Sequence, residues 1–259
     1  MPDAELAGRT IAITRPVEQA RPLADLIRRH GGTPLLFPLI AIMPLEDYSQ
    51  FDACLNQLGG ADWAIFISSN AVQQAMPRML RHAPAPPPGL RFAAIGASTA
   101  AELRKFGIRQ VLTPQLRYDS EHLLALPEMQ DVAGLRVLIF RGQGGRELLA
   151  ETLSARGAEV HFAECYRRVN PQQNAGDLAR LWQNKRLYAL VVTSSEALRN
   201  LLELAGDATW LREALLCVNH ERIAELARQH GLRVALAAAP GDEGMLRCLT
   251  QHVQGQYTR

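Results

Sequence analysis

The run Trp63-Ala64-Ile65-Phe66-Ile67-Ser68-Ser69-Asn70-Ala71 has a second copy in Ala189-Leu190-Val191-Val192-Thr193-Ser194-Ser195-Glu196-Ala197, which sets Ser194 at 194 − 68 = 126 residues beyond Ser68. Each copy is an apolar run that breaks into small polar residues and then continues as an amphipathic stretch. The register recurs elsewhere. Thr10-Ile11-Ala12-Ile13-Thr14-Arg15-Pro16 and the run to Gly31 mirror Arg136-Val137-Leu138-Ile139-Phe140-Arg141-Gly142 and the run to Gly157, with 141 − 15 = 126. A third match joins Ala93-Ala94-Ile95-Gly96, with its helix to Gly107, to Leu216-Cys217-Val218-Asn219, with its helix to Gly231. Its offset slips by about three residues, as a loop change allows. Self-similarity at a fixed spacing decides the architecture before any single element does.

Each half alternates short runs rich in Val, Ile, Leu and Phe with helical stretches such as Glu147 to Arg156, which carries Leu148, Leu149 and Leu153 on one face. Continuous apolar strands between helices are the pattern of a parallel sheet covered on both faces. The expected fold class is therefore α/β, two flavodoxin-like doubly wound domains related by internal duplication. Two segments exceed an ordinary strand: 33–44, and its repeat mate 159–169. Pro34, Pro38 and Pro44 each remove a ladder donor, so the first belongs at a sheet edge or outside the main sheets. An antiparallel two-stranded connector between the domains would satisfy that.

The totals exclude several classes. At 47% hydrophobic and 21% charged residues, the 259-residue chain is an ordinary globular sequence. A balance of 28 Lys plus Arg against 26 Asp plus Glu gives a net charge of +2, too small to argue for nucleic acid or a membrane surface. Cys54, Cys165, Cys217 and Cys248 lie far apart, and the seven histidines form no ligand spacing. No metal is expected, and the thiols read as free and buried. The opening Met1-Pro2-Asp3-Ala4-Glu5 lacks the basic start and apolar core of an export signal, and no run approaches a membrane span. A cytoplasmic location is the expectation.

In doubly wound sheets ligands sit beyond the carboxyl ends of the strands, where turns present free amides and helix N-termini. Those turns read Arg15-Pro16, Ser68-Ser69-Asn70, Gly96-Ala97-Ser98-Thr99, Arg141-Gly142-Gln143-Gly144-Gly145-Arg146, Thr193-Ser194-Ser195 and Asn219-His220-Glu221-Arg222. Taken singly, each hydroxyl or amide side chain reads equally well as a helix N-cap. Together, with no acidic pair, metal set or nucleophile–base pair beside them, they suit a polyanionic ligand held by backbone donors. The candidate binding residues are Arg15, Ser68, Ser69, Asn70, Gly96, Ser98, Thr99, Arg141, Gly142, Gly144, Gly145, Arg146, Thr193, Ser194 and Ser195. The glycine-rich turn lacks both the third glycine of a dinucleotide fingerprint and the ending of a P-loop. Arg141 and Arg146 beside its glycines are better suited to carboxylates. Tyr166, in the second long segment, reads either as a packed aromatic or as a hydroxyl presented to substrate.

The order and spacing of Ile13-Thr14-Arg15-Pro16, Phe37-Pro38-Leu39-Ile40, Ala93 to Ala100, Leu138 to Glu147, Gly157-Ala158-Glu159-Val160 and Glu164-Cys165-Tyr166-Arg167-Arg168 resemble the uroporphyrinogen-III synthase family nearly end to end. The resemblance implies that the first βα unit of each repeat is exchanged to the other domain. One domain then comprises 1–36 and 171–259, the other 45–161, with 37–44 and 162–170 as connector strands and the substrate in the cleft between the halves. It implies a cofactor-free cyclisation of hydroxymethylbilane, whose acetates and propionates match the amide-rich turns, and it makes Tyr166 the candidate catalytic residue. A transient contact with hydroxymethylbilane synthase, which supplies the bilane, and a monomeric state are expectations of the same kind. One departure stands out. Many members carry Gly-x-x-Thr-Ala in both halves, whereas the second copy here is Asn219-His220-Glu221-Arg222-Ile223, and Glu221 would repel a carboxylate unless turned away. The rival readings are a non-catalytic two-domain binder of small anions and a two-domain glycosyltransferase. The domains are too small for the latter by roughly half.

Overall fold

The computed structural model describes residues 5–115 and 119–254; Met1–Ala4, part of the stretch read for an export signal, lies outside the described residues. Strand β1 (Thr10–Ile13) is buried along its whole length, and helix α1 (Val17–Arg29) follows it and buries Ala20, Leu23, Ala24, Leu26 and Ile27. The i, i+3, i+4, i+7 spacing of Ala20, Leu23, Ala24 and Ile27 puts them on one stripe, with Leu26 at its margin. Helix α1 stops where Gly31 takes a φ of +80°, with Gly32 N–H donating to the Ile27 carbonyl and Gly31 N–H to that of Arg28. This left-handed terminus is open to glycine at no steric cost. The repeat mate Gly157, at φ +87°, ends its own helix in the same way.

After α1 the long proline-marked segment resolves into two short strands, β2 (Thr33–Leu36) and β3 (Ala41–Met43), separated by Phe37-Pro38-Leu39-Ile40. Both are edge strands, of different sheets. Pro34 pairs with Ile11 while the other side of β2 is unpaired, so its missing N–H breaks no ladder.

The remaining elements are α2 (Ser49–Asn56), β4 (Trp63–Phe66), α3 (Ser69–His82), β5 (Arg91–Ala94), α4 (Ala97–Lys105), α5 (Ser120–Leu124), β6 (Arg136–Gly142), α6 (Leu148–Ala155) and β7 (Glu159–Val169). They are followed by α7 (Ala175–Gln183), β8 (Leu187–Val192), α8 (Ser195–Ala205), α9 (Thr209–Glu213), β9 (Leu215–Val218), α10 (Glu221–Gln229), β10 (Arg233–Leu236) and α11 (Gly241–Gln254). Two compact units result. One holds the residues up to Ala41 and those from Val169; the other is Ile42–Arg168, so the chain changes unit inside β3 and inside β7.

The first unit is a five-stranded sheet in the order β10-β9-β8-β1-β2, with every pairing parallel. The second has the order β3-β7-β6-β4-β5, with β7, β6, β4 and β5 parallel to one another. In each, the first βαβ of one repeat is paired with later strands of the other: β1 with β8, and β6 with β4. Strand β7 does more than connect. Its residues from Glu159 to Tyr166 pair with β6, making it an inner strand with β3 on its far side.

The second unit shows why its strands are apolar at every position. Ala64, Phe66, Leu138 and Phe140 enter a core with Phe51 of α2, Met76 of α3 and Leu103 of α4. Their neighbours Trp63, Ile65, Val137 and Ile139 enter the opposite core with Leu124 of α5 and Leu153 of α6. Period-two alternation between two apolar layers gives a continuous apolar run. In the first unit Ile11, Ile13, Ala189, Val191 and Cys217 pack with residues of α1 and α11, and the alternate residues Ala12, Leu190, Val192 and Leu216 are equally inaccessible.

Phe140 is the pivot of the second unit, stacked on Phe66 at a centroid separation of 4.4 Å and meeting Phe51 edge-on at 6.2 Å. Phe140→Ala removes a fully buried ring at the centre of the sheet. The expected cost is about 3–5 kcal/mol, read as a lowered urea midpoint of unfolding.

Candidate functional site

In the second unit the carboxyl ends of β4, β5, β6 and β7 bring together most of the residues expected from the sequence. Ser68 follows β4 in extended geometry (φ −164°) and caps α3, its Oγ accepting from Ala71 N–H at 3.1 Å. The same Oγ lies 3.2 Å from the Tyr166 hydroxyl carried by β7. Ser69 and Asn70 form the first turn of α3, whose free amides make the positive end of a 14-residue helix. Gly96 plays the corresponding part for α4, in extended geometry with no side chain to cap. Ser98 is exposed, whereas Thr99 turns inward and is 2% exposed.

Tyr166 is 2% exposed and belongs to the core of this unit, so it is at once a packed ring and a placed hydroxyl. Gly142 makes the packing possible. A Cβ there would lie 2.5 Å from Cε2 and 2.6 Å from Cζ of the ring, and the strand continues past it with Gln143 N–H donating to the Tyr166 carbonyl at 2.8 Å. The thiol of adjacent Cys165 is pushed up to about 12, chiefly by burial, and is therefore neutral and unreactive near pH 7.

The glycine-rich turn has an internal support. Arg141 is 2% exposed; its guanidinium lies 4.4 Å from the Phe162 ring centroid, donates to the Gly142 carbonyl at 3.2 Å and stands 3.9 Å from the Glu164 carboxylate. Glu164 in turn accepts from Gly144 N–H at 3.1 Å. Gly144 and Gly145 have φ of +66° and +112°, and a Cβ on Gly145 would meet Arg141 at 3.1 Å. Arg141 therefore fastens the turn from below rather than projecting from it. Arg146 does project. It is half-exposed and holds exposed Glu121 of α5 at 2.7 Å, which keeps the Glu121 carboxyl below its ordinary range.

In the first unit Arg15, the repeat mate of Arg141, is also held. Its Nε donates to Thr193 Oγ1 at 3.3 Å and its Nη1 pairs with Asp242 in the first turn of α11. Ser194 repeats the role of Ser68 as N-cap, accepting from Ala197 N–H at 3.0 Å. The hydroxyl of Ser195 is buried with no hydrogen-bond partner. At the divergent turn His220 caps α10, its Nδ1 accepting from Arg222 N–H at 3.2 Å, and Glu221 is drawn back along the helix to Arg228 at 2.6 Å. Among the described residues all four cysteines are free, with Cys54 half-buried and the others buried. Glu164 and Asp242, the partners of the two repeat-related arginines, were not foreseen as site residues. Asp242 lies 227 residues from Arg15, and nothing local in the sequence links them.

The family described as uroporphyrinogen-III synthase HemD has a model that matches residues 21–247. The chain is 37% identical over 244 residues to the uroporphyrinogen-III synthase of Escherichia coli (strain K12), covering 93% of this chain and 99% of the relative. It is 35% identical over 193 residues to that of Proteus mirabilis, covering 74% of this chain and 97% of the relative. Among solved structures it resembles a mutant uroporphyrinogen III synthase of Thermus thermophilus, with a TM-score of 0.65 at 20% identity over 95% of this chain and 99% of that one. The Helicobacter pylori uroporphyrinogen-III synthetase gives 0.54 at 17% identity, over 95% and 99%. At those identities the structures speak for the fold.

Because the Gly142 position is closed by the Tyr166 ring, Gly142→Ala forces that ring to move. It is expected to cost about 1–3 kcal/mol by overpacking. In a Tyr166→Ala background the same substitution should cost little, and a double-mutant cycle on urea midpoints reads the coupling.

Proposed function

The chain belongs to the uroporphyrinogen-III synthase family of cyclising lyases, and from that premise we propose how its residues close linear hydroxymethylbilane with inversion of the last pyrrole ring. The observation that carries the proposal is the Ser68–Tyr166 hydroxyl pair at the carboxyl edge of the second unit, 3.2 Å apart and backed by Gly142.

Reaction begins when the terminal C–O bond breaks. The pyrrole nitrogen supplies the electron pair, giving an azafulvene cation, and the departing oxygen needs a proton or a strong hydrogen bond. When Ser68 donates to the tyrosine oxygen, the phenolic proton is left to face the leaving hydroxyl. Ser68 is itself fixed by Ala71 N–H, so the donor is oriented in advance, which is the form of assistance a placed hydroxyl can give. The substituted carbon of the last pyrrole then attacks the cation to give a spiro intermediate. Fragmentation and reclosure at the free carbon, with loss of a proton, invert the ring. No electrons are gained or lost overall, and one water leaves.

Discrimination against uncatalysed closure without inversion is a matter of conformation, so the substrate must be held along its length. The bilane presents an acetate and a propionate on every pyrrole. We assign these to turns of the second unit already described: the first-turn amides of α3 around Ser69 and Asn70 and those of α4 after Gly96 beside Ser98. Each helix N-terminus contributes about 0.3–1 kcal/mol per favourable charge, so several must act together. Arg146 can exchange its exposed Glu121 partner for a substrate carboxylate with little loss, since an exposed ion pair is worth about 0–1 kcal/mol. Arg141 and Arg15, already committed to Glu164 and Asp242, are assigned to shaping their turns.

Purified protein given freshly generated hydroxymethylbilane is expected to yield predominantly the type III isomer after oxidation and separation. Type I alone, at the spontaneous rate, would overturn the reading and favour a non-catalytic anion binder. Tyr166→Phe keeps the ring under Gly142 and removes only the hydroxyl. Loss of one neutral hydrogen bond, about 0.5–1.5 kcal/mol, predicts kcat lowered by about three- to tenfold with KM little changed.

A further inference from the structure

The amino ends of the first unit's strands, opposite the turns discussed above, border a half-open pocket of about 630 Å³ that the proposed cyclisation does not use. Its wall is formed by residues just before or at the start of β1, β8, β9 and β10 and by the α7 and α9 helices. Two of the chain's three tryptophans, Trp182 and Trp210, lie there half-buried with Tyr188. Four cations, Arg9, Lys185, Arg186 and Arg233, share the wall with one carboxylate, Glu213. Among the described residues none of the four is paired with a carboxylate; Arg9 stacks over Tyr188 at 4.4 Å and Arg233 donates to the Glu213 carbonyl at 3.1 Å.

Cations near helix C-termini are ordinary. The duplication supplies a control that makes this group unusual. In the second unit the equivalent end carries a buried indole and a hydrogen-bonded acid. Trp63 is 3% exposed under Arg91, whose guanidinium is 4.3 Å above the ring. Asp62 accepts from Arg136 N–H at 2.8 Å, and the Arg136 side chain covers Gly60 and pairs with Glu159. The mates of Asp62 and Trp63 at the 126-residue offset are Tyr188 and Ala189. The first unit has thus exchanged the acid for an aromatic and the indole for a methyl, leaving a space lined with indole, phenol and uncompensated positive charge.

The geometry points to a second binding site, for a flat aromatic anion of mononucleotide size: a ring system against the indoles with a phosphate or carboxylate on the guanidinium groups. The volume falls within the roughly 300–1,000 Å³ of small-molecule sites. Aromatic faces with arginine and lysine at the rim match both parts of such a ligand.

Isothermal titration of the full chain with adenosine 5′-monophosphate and with 2-naphthoate distinguishes a phosphate from a carboxylate ligand. Tryptophan fluorescence reports the location. Saturable binding of either anion, with quenching, is expected. Adenosine and inorganic phosphate, which each lack one half of the ligand, should bind about tenfold more weakly or worse. Arg9→Gln with Arg233→Gln should weaken the bound anion by about tenfold. Trp210→Phe should remove part of the quenching, and both variants should keep cyclisation activity and thermal midpoint. The site is refuted if neither anion binds in the millimolar range, if phosphate alone binds as well, or if folded variants bind unchanged.

Discussion

Everything in this molecule depends on one seam, the parallel pairing of a strand from one repeat with a strand from the other. Ile11, Ala12 and Ile13 pair with Ala189, Leu190 and Val191 in the first unit, and Val137 to Phe140 pair with Trp63 to Phe66 in the second. These central strands are buried on both faces, so their side chains and ladder groups have no alternative in water. Neither repeat closes a sheet from its own strands. Each sheet joins the first βαβ of one repeat to three strands of the other, and β3 and β7 carry the chain across.

The seam also decides where chemistry gathers. The Tyr166 hydroxyl comes from the second repeat and Ser68 from the first, and they meet because β7, β6 and β4 lie side by side in one sheet. The ring fits because Gly142, also from the second repeat, has no Cβ to oppose it. In the other copy the mates of Gly142 and Tyr166 are Pro16 and Ile40, so the first unit keeps the capped turn at Ser194 and lacks the hydroxyl pair. Duplication supplied two equivalent frames, and substitution at a few strand ends made them chemically unequal.

The two repeat-related arginines illustrate how equal positions acquire different partners. Arg141 packs on Phe162 beside Glu164 of the neighbouring strand, and Arg15 reaches Asp242 at a helix start. Both leave the strand end fastened, and both occupy the place where an anion-binding guanidinium was expected from the sequence. A buried guanidinium without a partner is costly, which explains why each is tied to an acid before any ligand arrives.

The sequence by itself determined the duplication, the alternation of strands and helices, the capped turns at Ser68 and Ser194, and the glycine-ended helices at Gly31 and Gly157. Those features follow from local periodicity, from N-cap chemistry and from the steric freedom of one residue type, all of which act within a few positions of the chain. It also kept Pro34 out of a central strand, at an edge or outside the main sheets, because a missing donor has a local consequence. Only the tertiary structure decided that the long segment at 33–44 is two strands of different sheets, that β7 is an inner strand, and that Arg141 and Arg15 turn to Glu164 and Asp242. It alone set the Tyr166 hydroxyl beside Ser68, 98 residues away. Such contacts arise from the pairing of distant strands, and the energy that selects them, burial shared over two apolar layers, is not written in any one window of the sequence.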